Sequence, residues 1–595
     1  MRDEALYQAR EFRGKTLYTP RCLILDVDES LGSMSKDGYF SHQSASDVDS
    51  LSGYAASSWG GNVSISRFES VPKVPFQRTL EESFHLHTSS GRSSGDSSNP
   101  THELIRAKKH LIESKKSEVE AMKAELTTKA KNGNAEGSYL FDLQSKIGDL
   151  ESEIVALSAD IERRLHLYRV LQGEEVDHDM EFDLTDSKYW TDYNKTFWHP
   201  TCLNTLKDLS LSSPIDVYST EYLSAEEFEH YFDNFRHHIE QADQLEGLHV
   251  MVDCDTTFGA MSTTILDEVR DGYGKMHTVT FPIFSLDGSP SIGQNAKDTS
   301  RIRRMNRAMT LSALHASSSI VLPFDCSTWK SGTSFPHLDT LKLHNPYHAS
   351  AIIASTIDSI TLPYRLLSSG LSMRQHTDSL VPTLNNFGLV STALPLPLTP
   401  SNTLSHQFFG YDIYSDPATR TAEERIAASG KRILPHAGWM TSMIPFAHGE
   451  KTHNNDMEDT ERGVALPWSE SVILRGVPTE LARDPSDPAE YQAPSILYQY
   501  LKRYPCASRL FAAEKEASAI PIAYPNFFEE RLSITRNAPT LTHVQNTPRL
   551  ADFFRYLAID VTPDIAHKYP TLNYDREKIL ASRDSLLTLQ EDYSQ

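Results

Sequence analysis

The sequence predicts an α/β protein in which a parallel sheet is flanked by helices, followed by a second α+β domain and interrupted by a coiled-coil hairpin. Three observations lead there. Strand-like and helix-like runs alternate between residues 178 and 388 at the spacing of βαβ units. Beyond Leu389 that alternation gives way to separated strand-like runs and C-terminal helical ones. Between residues 102 and 172 apolar side chains recur at heptad spacing.

At 595 residues the chain is too long for one core and should divide into two or three domains. A hydrophobic fraction of 39% is low, so part of the chain is expected to be unpacked. From Thr16, the run TLYTPRCLILDVDESLGSM predicts a strand at Cys22 to Leu25 entering an acidic loop, Asp26 to Gly32. Residues 1–88 then hold the first part of the N-terminal domain. Within them Val63, Ile65 and Phe68 alternate as in an edge strand. Ser, Gly and Asp dominate residues 89–101, which cannot bury enough apolar surface to offset ordering entropy and read as a disordered linker.

Ile105, Ile112, Val119 and Leu126 repeat every seven residues until KNGNAEGS breaks the pattern. Leu140, Leu143, Ile147, Leu150, Ile154, Leu157 and Ile161 follow in three-four alternation. The Gly/Asn loop permits a tight reversal, so residues 102–172 read as an inserted antiparallel hairpin. It is either a docking or oligomerisation arm or a plain solvated helix pair.

Residues 178–388 return to a globular pattern, with EEFEHYFDNFRHHIEQADQL as a helix. The best-defined unit is LHVMVDCDTTFGAMSTTILDEVRDGYG, Leu248 to Gly274: a buried strand (Leu248 to Val252), a polar loop (Asp253 to Gly259), then Met261, Ile265, Leu266 and Val269 at helical spacing. In open α/β sheets ligands sit at the carboxyl end of such a strand, under the positive N-terminus of the next helix. A strand at His277 to Leu286, a helix at Arg301 to Ser318, the strand SIVLPFD and a helix from His348 to Leu367 closed by Pro363 complete the domain. In residues 389–595, VSTALPLPLTP, GWMTSMIPFA and ESVILRGVP read as strands, and LADFFRYLAIDVTPDIAHKY and REKILASRDSLLTLQEDY as helices.

A net charge of −23 without a basic run argues against binding nucleic acid or anionic lipid directly. Five scattered cysteines, Cys22, Cys202, Cys254, Cys326 and Cys506, form no CxxC pair. They point to a reducing compartment and away from a disulfide framework or structural zinc. No apolar run reaches the ~20 residues of a transmembrane helix. The first residues, MRDEALYQAREFRGK, lack an apolar signal core and mix Asp3, Glu4 and Glu11 with arginines, unlike a matrix presequence. The expected location is the cytosol or an organelle's outer face.

Two loops carry Asp-x-Asp after an apolar run: Asp26 and Asp28, and Asp253 and Asp255. That string suits a magnesium-dependent phosphatase, because an ionised carboxylate is both nucleophile and hard ligand. Two competing copies without a partner set favour helix-capping loops instead. His85, His87, His237 and His238 present no metal-ligand spacing. No GxGxxG, P-loop, GxSxG or HExxH string occurs, so neither catalytic nor metal residues are predicted.

The ordered segments TLYTPRCLILDVDESLGSM, WGGNVSISRFESVPKVPFQRTLEE, YWTDYNKTFWHP, LEGLHVMVDCDTTFGAMSTTILDEVRDGYG, SAIIASTIDSITLPYRLLSSGLSM and SVILRGVP together resemble the Misato family, distant relatives of tubulin. The resemblance covers most of the chain outside the linker and hairpin. It implies a tubulin-like fold and a non-enzymatic role in mitochondrial distribution and morphology and in inheritance of mitochondrial DNA. It also implies protein partners at the mitochondrial outer surface or cytoskeleton, with residence there and in the cytoplasm. Against the family pattern, the chain begins near the segment preceding the second strand, so a first strand and helix are expected to be missing.

Tubulins hold nucleotide phosphates on a GGGTGSG loop, whose lack of side chains lets backbone N–H groups approach the anion. The resemblance places that loop on Cys254 to Ala260. Thr257 keeps its identity, Phe258 replaces a glycine, and Gly259 stands where tubulins have serine. The degenerate phosphate-loop position thus comprises Asp253, Asp255, Thr256, Thr257, Phe258 and Gly259. At ~5 Å and an effective dielectric of ~20, each carboxylate would repel a phosphate charge by roughly 3 kcal/mol. No cofactor is expected; a GTP-binding cytoskeletal or tubulin-assembly factor is the alternative.

Overall fold

The computed structural model describes, apart from isolated positions and short gaps, residues 7–34, 109–124, 145–161, 184–206, 223–284, 296–399, 403–425, 440–444, 466–482, 491–564 and 574–594. The expected edge strand around Val63 and the linker at 89–101 lie outside them, as do His85 and His87. Two compact units form: one of residues 1–11, 16–71 and 183–595, the other of residues 12–15 and 72–182.

Near the start of the chain, β1 (Tyr7–Phe12) and β2 (Lys15–Pro20) make a two-stranded sheet; the elements that follow, up to the helical pair, belong to the larger unit. β3 (Ile24–Val27) pairs in parallel with β4 (Leu203–Leu206), Ile24 opposite Leu203 and Val27 opposite Leu206. The strand expected at Cys22 to Leu25 therefore starts two residues later, where this pairing begins. Helix α1 (Ala225–Glu240) opens with a capping box in which Ser224 and Glu227 satisfy each other's backbone N–H groups. Its Tyr231 joins Val27, Leu206 and Leu209 in one apolar cluster that also takes in Met261.

β5 (Gly247–Asp253), β6 (His277–Phe284), β7 (Ile320–Val321) and β8 (Phe324–Asp325) form a parallel sheet in which β6 pairs with β5, β7 and β8. Among the described residues β5 pairs with β6 alone. Met251 is 62% exposed, and within Leu248 to Val252 only Val252 is buried. The expectation of a buried strand is corrected: among the described residues β5 has a partner strand on one side only, and Met251 stays open. The single strand expected at SIVLPFD is two short ones, because Pro323 offers no N–H to continue the ladder.

Helices α2 (Thr257–Gly272) and α3 (Ala296–Ser317) pack beside this sheet, with α8 (Leu550–Asp560) and α9 (Arg576–Ser594) over α3. Met305, Leu311, Leu314, Phe554, Leu586 and Tyr593 make this core. A second core joins β6 and β7 to α4 (Pro346–Arg365) and α5 (Met373–Leu380). α4 starts at an Asn345 cap with Pro346 at its first position. Pro363 lies inside its last turn rather than closing it, and the helix runs two residues further.

The second sheet, ordered β10 (Thr441–Ser442), β9 (Leu389–Ala393), β15 (Thr540–Asn546), β11 (Ser469–Arg475) and β12 (Ser508–Glu514), is antiparallel except for the β11–β12 pair. β13 (Ser518–Ala519) and β14 (Asn537–Ala538) form a small ladder, and α6 (Leu404–Phe409) and α7 (Ala493–Leu501) cover one face of the sheet. The chain passes directly between the two sheets: Val321 N–H donates to Asn386 and its carbonyl accepts from Gly388, one residue before β9.

In the smaller unit, residues 109–124 and the described residues of 145–161 are helical. Ile112, Val119, Ile147 and Ile161 are buried, with Ile112 and Ile161 in one cluster. Lys115 pairs with Glu153 at 2.6 Å and Lys123 with Glu151 at 2.6 Å. The connection between the two runs lies outside the described residues.

Candidate functional site: the loop between β5 and α2

Strand β5 continues through Asp253 and α2 begins at Thr257, so the loop expected from Asp253 to Gly259 shrinks to Cys254, Asp255 and Thr256. The helix starts this early because Thr256 caps it, accepting from Phe258 N–H at 3.4 Å. Asp253 closes the turn from the other side. Its carboxylate accepts from Asp255 N–H at 3.0 Å and from the Thr256 hydroxyl at 3.0 Å. Cys254 N–H donates to Ile283 of β6 at 3.2 Å, and Gly259 N–H to the Thr256 carbonyl at 3.1 Å. Four backbone donors of the loop and first helical turn are thus engaged within the protein.

Asp255 faces inward and is 1% exposed. It receives a two-pronged ion pair from Arg307 of α3, with Nε at 2.9 Å and Nη2 at 2.8 Å. The guanidinium lies 4.1 Å from the ring centroid of Phe284 and 3.8 Å from Asp325 Oδ2. Burial works against the Arg307 charge, but Asp255 outweighs it and holds the proton more tightly than usual. Asn306 donates to the Asp255 carbonyl at 2.9 Å and accepts from Tyr574 OH at 2.6 Å, which ties the loop to the segment entering α9. The expectation that Asp255 adds free negative charge is corrected, since Arg307 neutralises it. Asp253 keeps an open surface, yet protein crowds its carboxyl and Asp255 repels it, pushing it up to about 6.

The remaining loop residues serve packing. Thr257 donates to the Ser219 carbonyl at 2.6 Å, and Phe258 lies against the cluster of Val27, Leu206 and Met261. At Gly259 a Cβ would stand 2.3 Å from Thr310 Oγ1, so the close approach of α2 to α3 requires glycine there. On the β3 loop, Asp26 accepts from its neighbour Val27 N–H at 2.7 Å and from Trp190 Nε1 at 3.0 Å, while Asp28 starts a short 3-10 turn. The two Asp-x-Asp strings leave different sheets. Of the histidine pair, His237 stacks on His199 and His238 is buried. Sequence reasoning missed Asn306, Arg307 and Asp325. The only trace was the basic start of the α3 run, which does not say which arginine turns inward.

No group of three or more potential metal ligands occurs among the described residues. None of the described helices is long and apolar enough to cross a membrane.

Residues 181–366 match the family description "Tubulin domain" and residues 2–82 match "Misato Segment II tubulin-like domain". With its parallel sheets flanked by helices, the molecule is a tubulin-like protein. The chain is similar to "Protein dml-1" of Neurospora crassa, 30% identical over 187 residues, which is 30% of this chain and 33% of that protein. It is similar to "Protein DML1" of Gibberella zeae, 29% identical over 207 residues, 33% of this chain and 39% of the relative. "Protein misato homolog 1" of Bos taurus is 24% identical over 411 residues, 67% of this chain and 59% of the relative. Within the tubulin-like class, the chain is most readily compared with the Misato and dml-1 proteins, to which its matched segments are similar. It covers between a third and two fifths of the length of the two fungal relatives.

Proposed function

We propose that this chain is a non-catalytic, tubulin-like protein of mitochondrial distribution and morphology, acting in partitioning of the organelle and inheritance of its DNA. It works by binding other proteins at the mitochondrial outer surface and in the cytoplasm, with the helical pair at 109–124 and 145–161 as a docking arm. Similarity to the Misato and dml-1 proteins supports the biological role. The observation that supports a binding mechanism is the degenerate phosphate loop formed by Asp253, Asp255, Thr256, Thr257, Phe258 and Gly259. Its amides and carboxylates are engaged with one another and with Arg307, where a phosphate would need free donors. Asp255 is also enclosed, which weighs against the phosphatase reading at this one of the two Asp-x-Asp loops.

Depletion of the protein in its host cell, followed by imaging of the mitochondrial network and counting of mitochondrial DNA, tests the role. Collapsed or unequally inherited mitochondria are expected, and an unchanged network would overturn it. A GTP-binding cytoskeletal or tubulin-assembly factor is the second reading, favoured by the loop's place at the carboxyl end of β5 and the N-terminus of α2. Equilibrium titration with labelled GTP, with and without magnesium, separates the two. No saturation up to millimolar nucleotide is expected, whereas micromolar affinity would establish the second reading.

A further inference from the structure

The five cysteines are scattered in sequence, yet two of them meet. Cys22 lies two residues before β3 and Cys202 one residue before β4, and the parallel register of those strands brings the two entry segments side by side. There the two thiols are neighbours that perturb each other, Cys22 being raised and Cys202 lowered. Cys202 Sγ also lies 3.4 Å from the Pro20 carbonyl and 3.7 Å from Nε2 of His238 on α1. That nitrogen is shared with the Thr201 hydroxyl at 3.2 Å, and His199 Nδ1 in turn meets the same hydroxyl at 2.6 Å. His238 Nδ1 has no hydrogen-bond partner among the described residues. Cys202 is fully buried, while Cys22 is half-buried and the more open of the two.

We propose that Cys22 and Cys202 form a reversible oxidation site, closed to a disulfide by a small peroxide, with His238 as the proton carrier. His238 takes the Cys202 proton, and the Cys202 thiolate attacks one oxygen of hydrogen peroxide. An S–O bond forms, the O–O bond breaks, and the departing hydroxide takes the Cys22 proton and leaves as water. The Cys22 thiolate then attacks the sulfenic sulfur, forming the S–S bond, and the second hydroxide leaves as water with the proton held by His238. Two thiols lose two electrons and the peroxide gains them. The neighbouring Cys22 thiol, with His238 alongside, lowers the thiol of Cys202, as an attacking sulfur needs. The other three cysteines lack this pairing: Cys254 and Cys326 are buried with thiols pushed up by burial, and so is the half-buried Cys506.

The test uses the full reduced chain. It is exposed to a few equivalents of hydrogen peroxide, the remaining thiols are alkylated under denaturing conditions, and the protein is digested for mass spectrometry. The expected result is three alkylated cysteines, one Cys22–Cys202 linked peptide, and return to five alkylated cysteines after dithiothreitol. Glutathione disulfide, far larger than peroxide, should react at least tenfold more slowly because Cys202 is fully buried. In Cys22→Ser, oxidation should stop at a sulfenic acid on Cys202 that a dimedone probe traps. In His238→Gln, the rate should fall at least fivefold with a changed pH profile. Five alkylated cysteines after oxidation, or a linked peptide that omits Cys22 or Cys202, would overturn the proposal on the unmutated protein alone.

Discussion

Arg307 decides how the β5–α2 loop is built, because a buried carboxylate is tolerable only while its partner holds it. Arg307→Met strands Asp255, and a loss of about 3–5 kcal/mol in chemical denaturation is expected. Adding Asp255→Leu should restore much of that loss, since a pair replaced together leaves no orphan charge. Gly259→Ala drives a methyl group against Thr310, and a loss of about 1–3 kcal/mol is expected. Thr310→Ala removes the clashing oxygen, so the double variant should lose less than Gly259→Ala alone, measured by the same denaturation curves. The sequence displayed Asp253, Phe258 and Gly259 plainly, but neither Arg307 nor the Cys22–Cys202 pair. Both depend on which segments lie side by side, and no local periodicity encodes that.

Elements were legible where one face is apolar over many residues. α1, α2 and α4 stand close to their expected spans, because caps such as Ser224 and Asn345 and apolar spacing agree. Strand ends were less legible: β3 is shifted by its pairing with β4, and β7 and β8 are split at Pro323. In the smaller unit, apolar contacts and surface charges contribute unequally, which gives a prediction for the helical pair. Ile112→Asp buries a charge against Ile161 and should abolish much of that helicity in circular dichroism of the unit's proteolytic fragment or lower its melting point. Lys123→Glu, half exposed, should change stability by less than about 1 kcal/mol. Comparable effects of the two changes would mean that the buried isoleucines do not hold the pair together.

Across the larger unit, neutral histidines sit between layers. His249 of β5 meets Tyr364 of α4 at 2.7 Å, and His376 of α5 meets Ser471 of β11 at 3.1 Å. Burial lowers both to about 4, with the charge of Arg365 adding to it at His249. Unfolded imidazoles take their protons near pH 6.5, so the unfolded chain binds more protons between pH 6.5 and 4. Stability should therefore be full above pH 6.5 and drain as pH falls toward 4, by on the order of 3 kcal/mol for the enclosed His376. Denaturant midpoints at stepped pH check this, and His376→Asn should flatten part of the slope. Glu470 opposes its own burial with His543, Tyr504 and Arg509 and is held at about 2, so its contribution is lost only below pH 4.5. Alternating strands and helices made the overall class readable, and the resemblance supplied its name. The route of the chain from β7 to β9 through Asn386 and Gly388 was not readable, because no residue type marks a passage between sheets.

The pairing of β3 with β4 has a consequence during synthesis. Val27 leaves the ribosome long before Leu206, and at roughly 5–20 residues per second the delay is on the order of 10–35 seconds. Throughout that interval β3 has no strand to its β4 side. A nascent chain with such a waiting edge is a natural client for chaperones that shield exposed strands, and a slower-translating message would lengthen the period in which it needs them.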